Sequence, residues 1–258
     1  MKIAITGKGG VGKTTLASLL AQLYAQRERQ VLVIDADPAG NLATALGFPP
    51  DLEESIAPIA EMEDLIYERT GAKPGQGGGW FRLNPRVDDI PERFSAEHRG
   101  VRLLQLGTVK KGGGGCMCPE STLLRALVTH LLLGRRDVVI LDMEAGIEHL
   151  GRGTARAVDA LVIVVEPGKR SLDTARMIRD LAREINVPRL YLVGNKVRQD
   201  SDRQFIEAHS PDLPVLGFLS QSPEAIEADL RGEAAFDLAP ALVEEARGIL
   251  AKLEQAVL

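Results

Sequence analysis

The chain has 258 residues, of which 36 are acidic and 31 are basic, giving a formal net charge of −5. This length suits one α/β domain, and the acidic balance excludes a general electrostatic attraction to nucleic acid or to an anionic membrane surface. The N-terminus leads through one apolar stretch into a glycine-rich loop, and no apolar run reaches the roughly 18 residues of a membrane span. We therefore expect a cytoplasmic protein without a signal peptide and with neither a nucleic-acid nor a membrane partner.

Short apolar runs rich in Val, Ile and Leu alternate with amphipathic stretches along the chain. The apolar runs, which predict buried parallel strands, cover 2–6, 31–35, 101–106, 137–142, 160–165, 189–193 and 214–219. The amphipathic stretches, in which apolar residues recur at helical spacing, include 15–28, 120–133, 171–185 and 241–256. This alternation predicts an α/β fold with a doubly wound, mostly parallel sheet of seven or eight strands flanked by helices.

One break in composition interrupts the alternation. Residues 71–99 are rich in glycine and proline, which interrupt regular structure. We interpret this segment as an insertion or loop, and not as a linker, within a single domain that spans 1–258.

The stretch GKGGVGKT, residues 7–14, has the spacing of a phosphate-binding loop between a predicted strand and a predicted helix. Glycines let the backbone approach the phosphates, the helix N-terminus supplies positive potential, and Lys13 can reach the β and γ oxygens. The alternative is a chance glycine turn. The candidate nucleotide-binding residues of the loop are Gly9, Gly10, Val11, Gly12, Lys13, Thr14 and Thr15.

Acidic residues follow two predicted strands that end at the same edge of the sheet as the loop. Asp35 and Asp142 each come after four apolar residues, where an unpaired carboxylate is costly. We expect both to hold Mg²⁺ partly through water, together with Thr14, and Asp37 to orient the attacking water. Solvated loop acids are the alternative. Gly146 is a candidate backbone donor to the γ-phosphate, so the segment up to Leu150 is expected to move when that phosphate leaves.

The stretch LYLVGNKV, residues 190–197, resembles the Asn-Lys-x-Asp signature of GTPases. Arg198 stands where guanine recognition needs a carboxylate, although Asp200 lies two residues further on. Asn195 can still bond a purine N7 and an exocyclic amine, which favours ATP over GTP. The alternative is that Asn195 only caps the strand.

The stretches GKGGVGKTT and DADPAGNLATALG together resemble the deviant Walker A ATPases, which include the MinD and ParA proteins, the nitrogenase iron protein and metal-inserting ATPases. The resemblance implies a homodimer with ATP between its subunits. It also implies that Lys8 crosses to the phosphates held by the partner, where its charge would make hydrolysis depend on dimerisation. The alternative for Lys8 is a solvated loop lysine.

Cys116 and Cys118, the two cysteines of the chain, lie in KKGGGGCMCPESTLL. In an extended segment their sulfurs project to one face, and two thiolates from each of two chains would complete a four-ligand site for nickel or zinc. Three alternatives remain open. They are a buried structural pair, a strained disulfide, and a redox pair without the usual Cys-x-x-Cys spacing.

With this cysteine pair and the stretch DMEAGIEHLGRG, residues 142–153, the chain resembles the carbon monoxide dehydrogenase accessory ATPases. That resemblance implies an ATP-dependent metallochaperone that assists nickel insertion into carbon monoxide dehydrogenase or acetyl-CoA synthase. The alternative is a positioning or partition ATPase of the MinD or ParA type. Membrane-binding proteins of that type end in a basic amphipathic helix, whereas the C-terminal stretch here carries acids beside its few cations.

Overall fold

A computed structural model describes residues 1–37, 40–74, 80–107, 118–134, 137–145, 150 and 152–257. The described strands are β1 (Lys2–Gly7), β2 (Val31–Ala36), β3 (Ala96–His98), β4 (Val101–Gln105), β5 (Val138–Met143), β6 (Ala160–Val165), β7 (Leu190–Val197) and β8 (Val215–Ser220). They form one eight-stranded sheet in the order β3-β4-β2-β5-β1-β6-β7-β8. All neighbouring pairs are parallel except β3 with β4, so the predicted mostly parallel sheet is confirmed.

The seven predicted strands correspond to β1, β2 and β4 to β8. The sequence did not predict β3, because this antiparallel edge strand is only three residues long and lacks an apolar run. Four strands at the centre of the sheet, β2, β5, β1 and β6, are buried along their whole length. Burial on both faces explains why these strands appear in the sequence as continuous apolar runs.

Helices cover both faces of the sheet. The described helices are α1 (Lys13–Ala25), α2 (Leu42–Ala45), α3 (Pro50–Glu54), a 3-10 helix (Ile59–Glu61), α4 (Glu63–Thr70), α5 (Ile90–Phe94), α6 (Pro119–Leu133), α7 (Arg152–Ala155), α8 (Lys169–Glu184), α9 (Asp200–His209), α10 (Pro223–Arg231), α11 (Ala235–Leu238) and α12 (Pro240–Val257). Side chains of α1 and α12 pack in the core on one face, and those of α6, α8 and α9 pack on the other. Among the described helices, none has both the length and the apolar character that crossing a membrane requires.

The segment 71–99 is more regular than its composition predicts. Its last ten residues contain α5 and β3, so the expectation of irregular structure is wrong there. The Arg69 side chain, at the end of α4, forms ion pairs with Asp89 and Glu68, and the Asp89 carboxylate also accepts a hydrogen bond from Arg93. These contacts tie the end of the segment to α4. That the segment is an insertion remains a prediction.

Strand register brings the predicted site residues to one edge of the sheet. In the pairing of β2 with β5, Asp35 lies opposite Asp142, and in the pairing of β1 with β5, Ile5 lies opposite Asp142. The loop that follows β1 therefore leaves the sheet beside both carboxylates.

Candidate nucleotide-binding site

The loop between β1 and α1 has a backbone that requires glycine at two positions. A Cβ atom on Gly7 would lie 2.3 Å from the carbonyl oxygen of Val164, on the neighbouring strand β6. Gly12 has a φ of 93°, and a Cβ atom there would lie 2.0 Å from the side-chain nitrogen of Asn195. Both values lie far below van der Waals contact, so the first and last glycines of the motif are structurally necessary.

Two consecutive residues of β7 donate hydrogen bonds to backbone carbonyls of the loop. The Asn195 amide donates to the carbonyl oxygen of Val11 at 2.8 Å, and the Lys196 ammonium donates to that of Gly10 at 2.6 Å. Lys196 has a φ of 56°, and its N–H donates to the Asn195 side-chain oxygen at 2.8 Å. Because two loop carbonyls are fixed in this way, the shape of the loop depends on β7. This role of Lys196 was not predicted from the sequence.

Asn195 is therefore buried against the loop, with an exposed fraction of 6%. Its contacts use one amide hydrogen and one position on the oxygen, which leaves one hydrogen for a ligand. The role of Asn195 in binding a purine base stays a prediction.

Lys13, the first residue of α1, is 5% exposed, and its ammonium nitrogen lies 3.6 Å from a carboxylate oxygen of Asp37. Asp37 follows β2 and is about one-fifth exposed, since 22% of its side chain is accessible. A buried ammonium needs a compensating negative charge, which Asp37 supplies in this structure. A phosphate group at the loop would offer Lys13 a second anionic partner.

Asp35 is buried at the end of β2, so it is not the solvated loop acid of the alternative interpretation. One of its oxygens accepts a hydrogen bond from the N–H of Asp37 at 3.1 Å, and the other accepts one from that of Leu42 at 3.2 Å. Burial raises the pKa of Asp35 to about 6, although these two hydrogen bonds act in the opposite direction. Asp35 thus shapes the turn that carries Asp37.

Asp142 is fully buried at the end of β5. Its Oδ2 accepts a hydrogen bond from the Thr14 hydroxyl at 2.7 Å, whereas its Oδ1 is buried with no hydrogen-bond partner among the described residues. Burial raises the pKa of Asp142 to about 7, the Thr14 hydrogen bond lowers it, and the charge of Asp35 raises it further.

A buried carboxylate oxygen with no partner in the described part of the chain, next to a threonine hydroxyl, fits a divalent cation. Mg²⁺ prefers oxygen ligands and usually keeps several waters, so Thr14 and Asp142, with Asp35 beside them, are a suitable donor set. These three are the magnesium residues that the sequence predicted, and the structure brings them together.

Lys8 lies at the other end of the loop and is partly exposed. Its ammonium nitrogen is 3.8 Å from a carboxylate oxygen of Glu166, which directly follows β6. Glu166 was not among the predicted site residues, although it directly follows the apolar run 160–165, which is the signal that indicated Asp35 and Asp142.

Several predicted site residues lie outside the described residues. They are Cys116 and Gly146, with most of the segment that leads to Leu150. Cys118 is described: it is the N-terminal cap of α6, and its sulfur accepts a hydrogen bond from the N–H of Ser121 at 3.4 Å. Within the described ranges, no group of three or more His, Cys, Asp or Glu side chains is arranged to hold a metal ion. The predicted site shared between two chains stays a prediction.

Comparison with known proteins identifies the family. Residues 2–236 match the CobQ/CobB/MinD/ParA nucleotide binding domain. The chain belongs to this family. Among its relatives, the carbon monoxide dehydrogenase accessory protein CooC of Rhodospirillum rubrum is 46% identical over 257 residues, which cover 100% of this chain and 97% of CooC. An uncharacterised ATP-binding protein of Methanocaldococcus jannaschii is 46% identical over 236 residues, 90% of each chain. The predicted resemblance to the MinD and ParA proteins and to the carbon monoxide dehydrogenase accessory ATPases is confirmed.

Solved structures of the CobQ/CobB/MinD/ParA family share the fold. The MinD cell division protein of Aquifex aeolicus has a TM-score of 0.67 at 20% identity, with 99% of this chain and 97% of that chain covered. A putative plasmid partition protein of Borrelia burgdorferi, bound to AMPPNP, has a TM-score of 0.70 at 17% identity, with 99% of each chain covered. At these identities the likeness supports the fold alone.

Proposed function

We propose that this protein is a Mg²⁺-dependent ATPase that dimerises on ATP binding and assists nickel insertion into carbon monoxide dehydrogenase or acetyl-CoA synthase. The observation that carries the proposal is the 46% identity with CooC over the full chain. The site supports the ATPase part, because Lys13, Thr14 and Asp142 meet at the end of the phosphate-binding loop.

In the proposed reaction, the loop and Lys13 bind the triphosphate. Thr14, Asp35 and Asp142 would hold Mg²⁺, which would supply positive charge to the transferring phosphoryl group. Asp37 orients the attacking water once Lys13 has left the Asp37 carboxylate and contacts phosphate instead. This assignment is supported by the position of Asp37 at 3.6 Å from the Lys13 ammonium, within reach of the γ-phosphate that Lys13 would contact.

Lys8 is proposed to act on the ATP held by the partner subunit. Its partial exposure supports this role, since 39% of its side chain is accessible, against 5% for Lys13. Lys8→Ala should bind ATP normally but lose hydrolysis and ATP-dependent dimerisation. Nucleotide binding, phosphate release and molar mass by light scattering would be measured on the same preparation. Normal turnover by this variant would exclude the role in trans.

The metal cargo is proposed to bind between two chains, through Cys116 and Cys118 of each. Nickel(II) and zinc both accept four thiolates, so zinc is a competing ion. The expected result is saturation at one nickel ion per two chains, with dimers formed in the absence of nucleotide. Ultraviolet and visible titration with nickel, followed by light scattering, measures both quantities.

Cys118 requires a particular substitution, because its sulfur also caps α6. Cys118→Ser keeps a good capping atom while removing the thiolate, so loss of nickel binding would not reflect loss of the helix. Ser121→Ala is the matched control, since it removes the hydroxyl that accepts a hydrogen bond from the Cys118 thiol but keeps the capping N–H and both thiols. Saturation at one ion per chain, or unchanged affinity in Cys118→Ser and Cys116→Ser, would contradict the shared site.

Related experiments test the alternative, which is a positioning function like that of MinD and ParA proteins. ATP-dependent sedimentation with DNA or with phosphatidylglycerol vesicles, together with failure to bind nickel, would replace the metallochaperone proposal.

A further inference from the structure

One carboxylate at the mouth of the phosphate-binding loop lies between two lysines. Glu166 directly follows β6, the strand that pairs with β1 up to Gly7. One of its oxygens is 3.8 Å from the Lys8 ammonium nitrogen, and the other is 3.8 Å from that of Lys196. Glu166 therefore bridges the first lysine of the loop and a lysine of β7.

Each of these three residues has a further contact among the described residues. The Glu166 N–H donates to the hydroxyl oxygen of the buried Ser171 at 3.1 Å. The Lys8 carbonyl oxygen accepts a hydrogen bond from the N–H of Val11 at 3.4 Å, so Glu166 and Lys8 are both anchored at the backbone. Lys196 donates to the carbonyl oxygen of Gly10 at 2.6 Å. Lys8, in contrast, is held at its charged end by Glu166, with 39% of its side chain exposed.

We propose that Glu166 holds Lys8 of its own chain in the monomer and releases it to the phosphates of the partner subunit when the dimer forms. This inference rests on the proposed role of Lys8 in trans. A triphosphate carries several negative charges and can outcompete a single carboxylate for an ammonium group. Glu166 keeps Lys196 as its partner after the exchange, so its charge is not left uncompensated.

The exposure of the ion pair suits a contact that has to break. A pair of this kind changes an equilibrium by only about 1.4- to 5-fold. Glu166 therefore acts as a weak brake: it holds the Lys8 ammonium at the loop of its own chain and opposes dimerisation by a small factor at each of two symmetric positions.

Glu166→Gln removes the charge with little change in shape. Because each dimer contains two such contacts, the protein concentration for half-dimerisation with Mg²⁺ and AMPPNP should fall by about 2- to 30-fold, the square of the single-site factor. Glu166→Asp retains the charge but is one methylene shorter, so it should lie between wild type and Glu166→Gln. Sedimentation equilibrium measures the dimer constant, and the unfolding midpoint without nucleotide should stay that of wild type.

The double variant Lys8→Ala/Glu166→Gln separates this brake from a general repulsion of ATP by Glu166. Because Lys8→Ala alone is expected not to dimerise with ATP, the double variant should not dimerise either. ATP-dependent dimerisation of the double variant would overturn the inference and leave the role of Lys8 in trans, which Lys8→Ala alone tests, intact. A Glu166→Gln protein that dimerises no better than wild type, while Lys8→Ala fails to dimerise, would also overturn the inference. Normal turnover by Lys8→Ala would overturn both the inference and the proposed role of Lys8 in trans. Glu184→Gln, at the far end of α8, is the charge-matched control and should dimerise as wild type does.

Discussion

Replacing Asp142 by asparagine should stabilise the protein in the absence of Mg²⁺ and nucleotide. Asp142 is fully buried, its Oδ1 has no hydrogen-bond partner within the described residues, and Asp35 lies opposite it in the sheet. The ionised side chain is therefore held in an environment that favours its neutral form. Asparagine has nearly the same shape, and its oxygen can still accept the hydrogen bond from Thr14.

The size of the effect follows from the pKa of Asp142, which burial raises from 3.8 to about 7. Because the folded state binds the proton more tightly than the unfolded state, the free energy of unfolding decreases as pH rises between these two values. With these values, linkage gives a cost of about 4 kcal/mol at pH 8 and about 2 kcal/mol at pH 5. Asp142→Asn removes this cost, so its advantage over wild type should be larger at pH 8.

Urea unfolding of both proteins at pH 5 and pH 8, in chelator and without nucleotide, measures the difference directly. The exposed Asp229 provides the control, and Asp229→Asn should change the free energy of unfolding by less than about 0.5 kcal/mol at either pH. A variant less stable than wild type at pH 8, or an advantage that shrinks as pH rises, would refute the reasoning. The same variant should not hydrolyse ATP, since it lacks a carboxylate for Mg²⁺.

Three further predictions concern the loop and its partner carboxylate. Asp37→Asn should trap an ATP-bound dimer with nucleotide affinity close to wild type, because Lys13 loses only a competitor of phosphate; undiminished phosphate release would show that another group aligns the water. Lys13→Ala should weaken nucleotide binding itself, as measured by calorimetry, and binding as tight as wild type would contradict its role. Gly12→Ala should also lose nucleotide binding, because the new methyl group would meet Asn195 and φ is 93°; retained affinity would show that the loop can rearrange.

The fold could be predicted in outline because burial leaves a strong signal in the sequence. The central strands are buried on both faces and appear as continuous apolar runs, such as residues 160–165. The edge strand β3 has partly exposed side chains and a sequence of Ala, Glu and His, so its place in the sheet depends on pairing with β4 and not on its own composition. Helix α5 is also short, at five residues, and its own composition does not predict it.

The site was predictable where its residues share a short motif or end a buried strand. Lys13, Thr14, Asp35 and Asp142 met one of these conditions, and the structure brings them together. Glu166 also met the second condition, because it directly follows the buried strand β6, but the sequence alone did not connect it with Lys8. That contact depends on the pairing of β1 with β6, which joins residues far apart in the chain, and the spacing within a motif carries no information about such a pairing.

The two lysines of the loop are each paired with a carboxylate that follows another strand of the sheet, but their surroundings differ. Lys13 is 5% exposed and lies beside Asp37 after β2, whereas Lys8 is 39% exposed and lies beside Glu166 after β6. A buried ammonium has few alternative positions, so it suits the phosphates of its own chain, while an exposed one can change partners at small cost. One lysine is sufficient to bind the phosphates of its own subunit. The exposure of the second lysine, together with a carboxylate that holds it weakly, is what a residue needs to act on the nucleotide of another subunit.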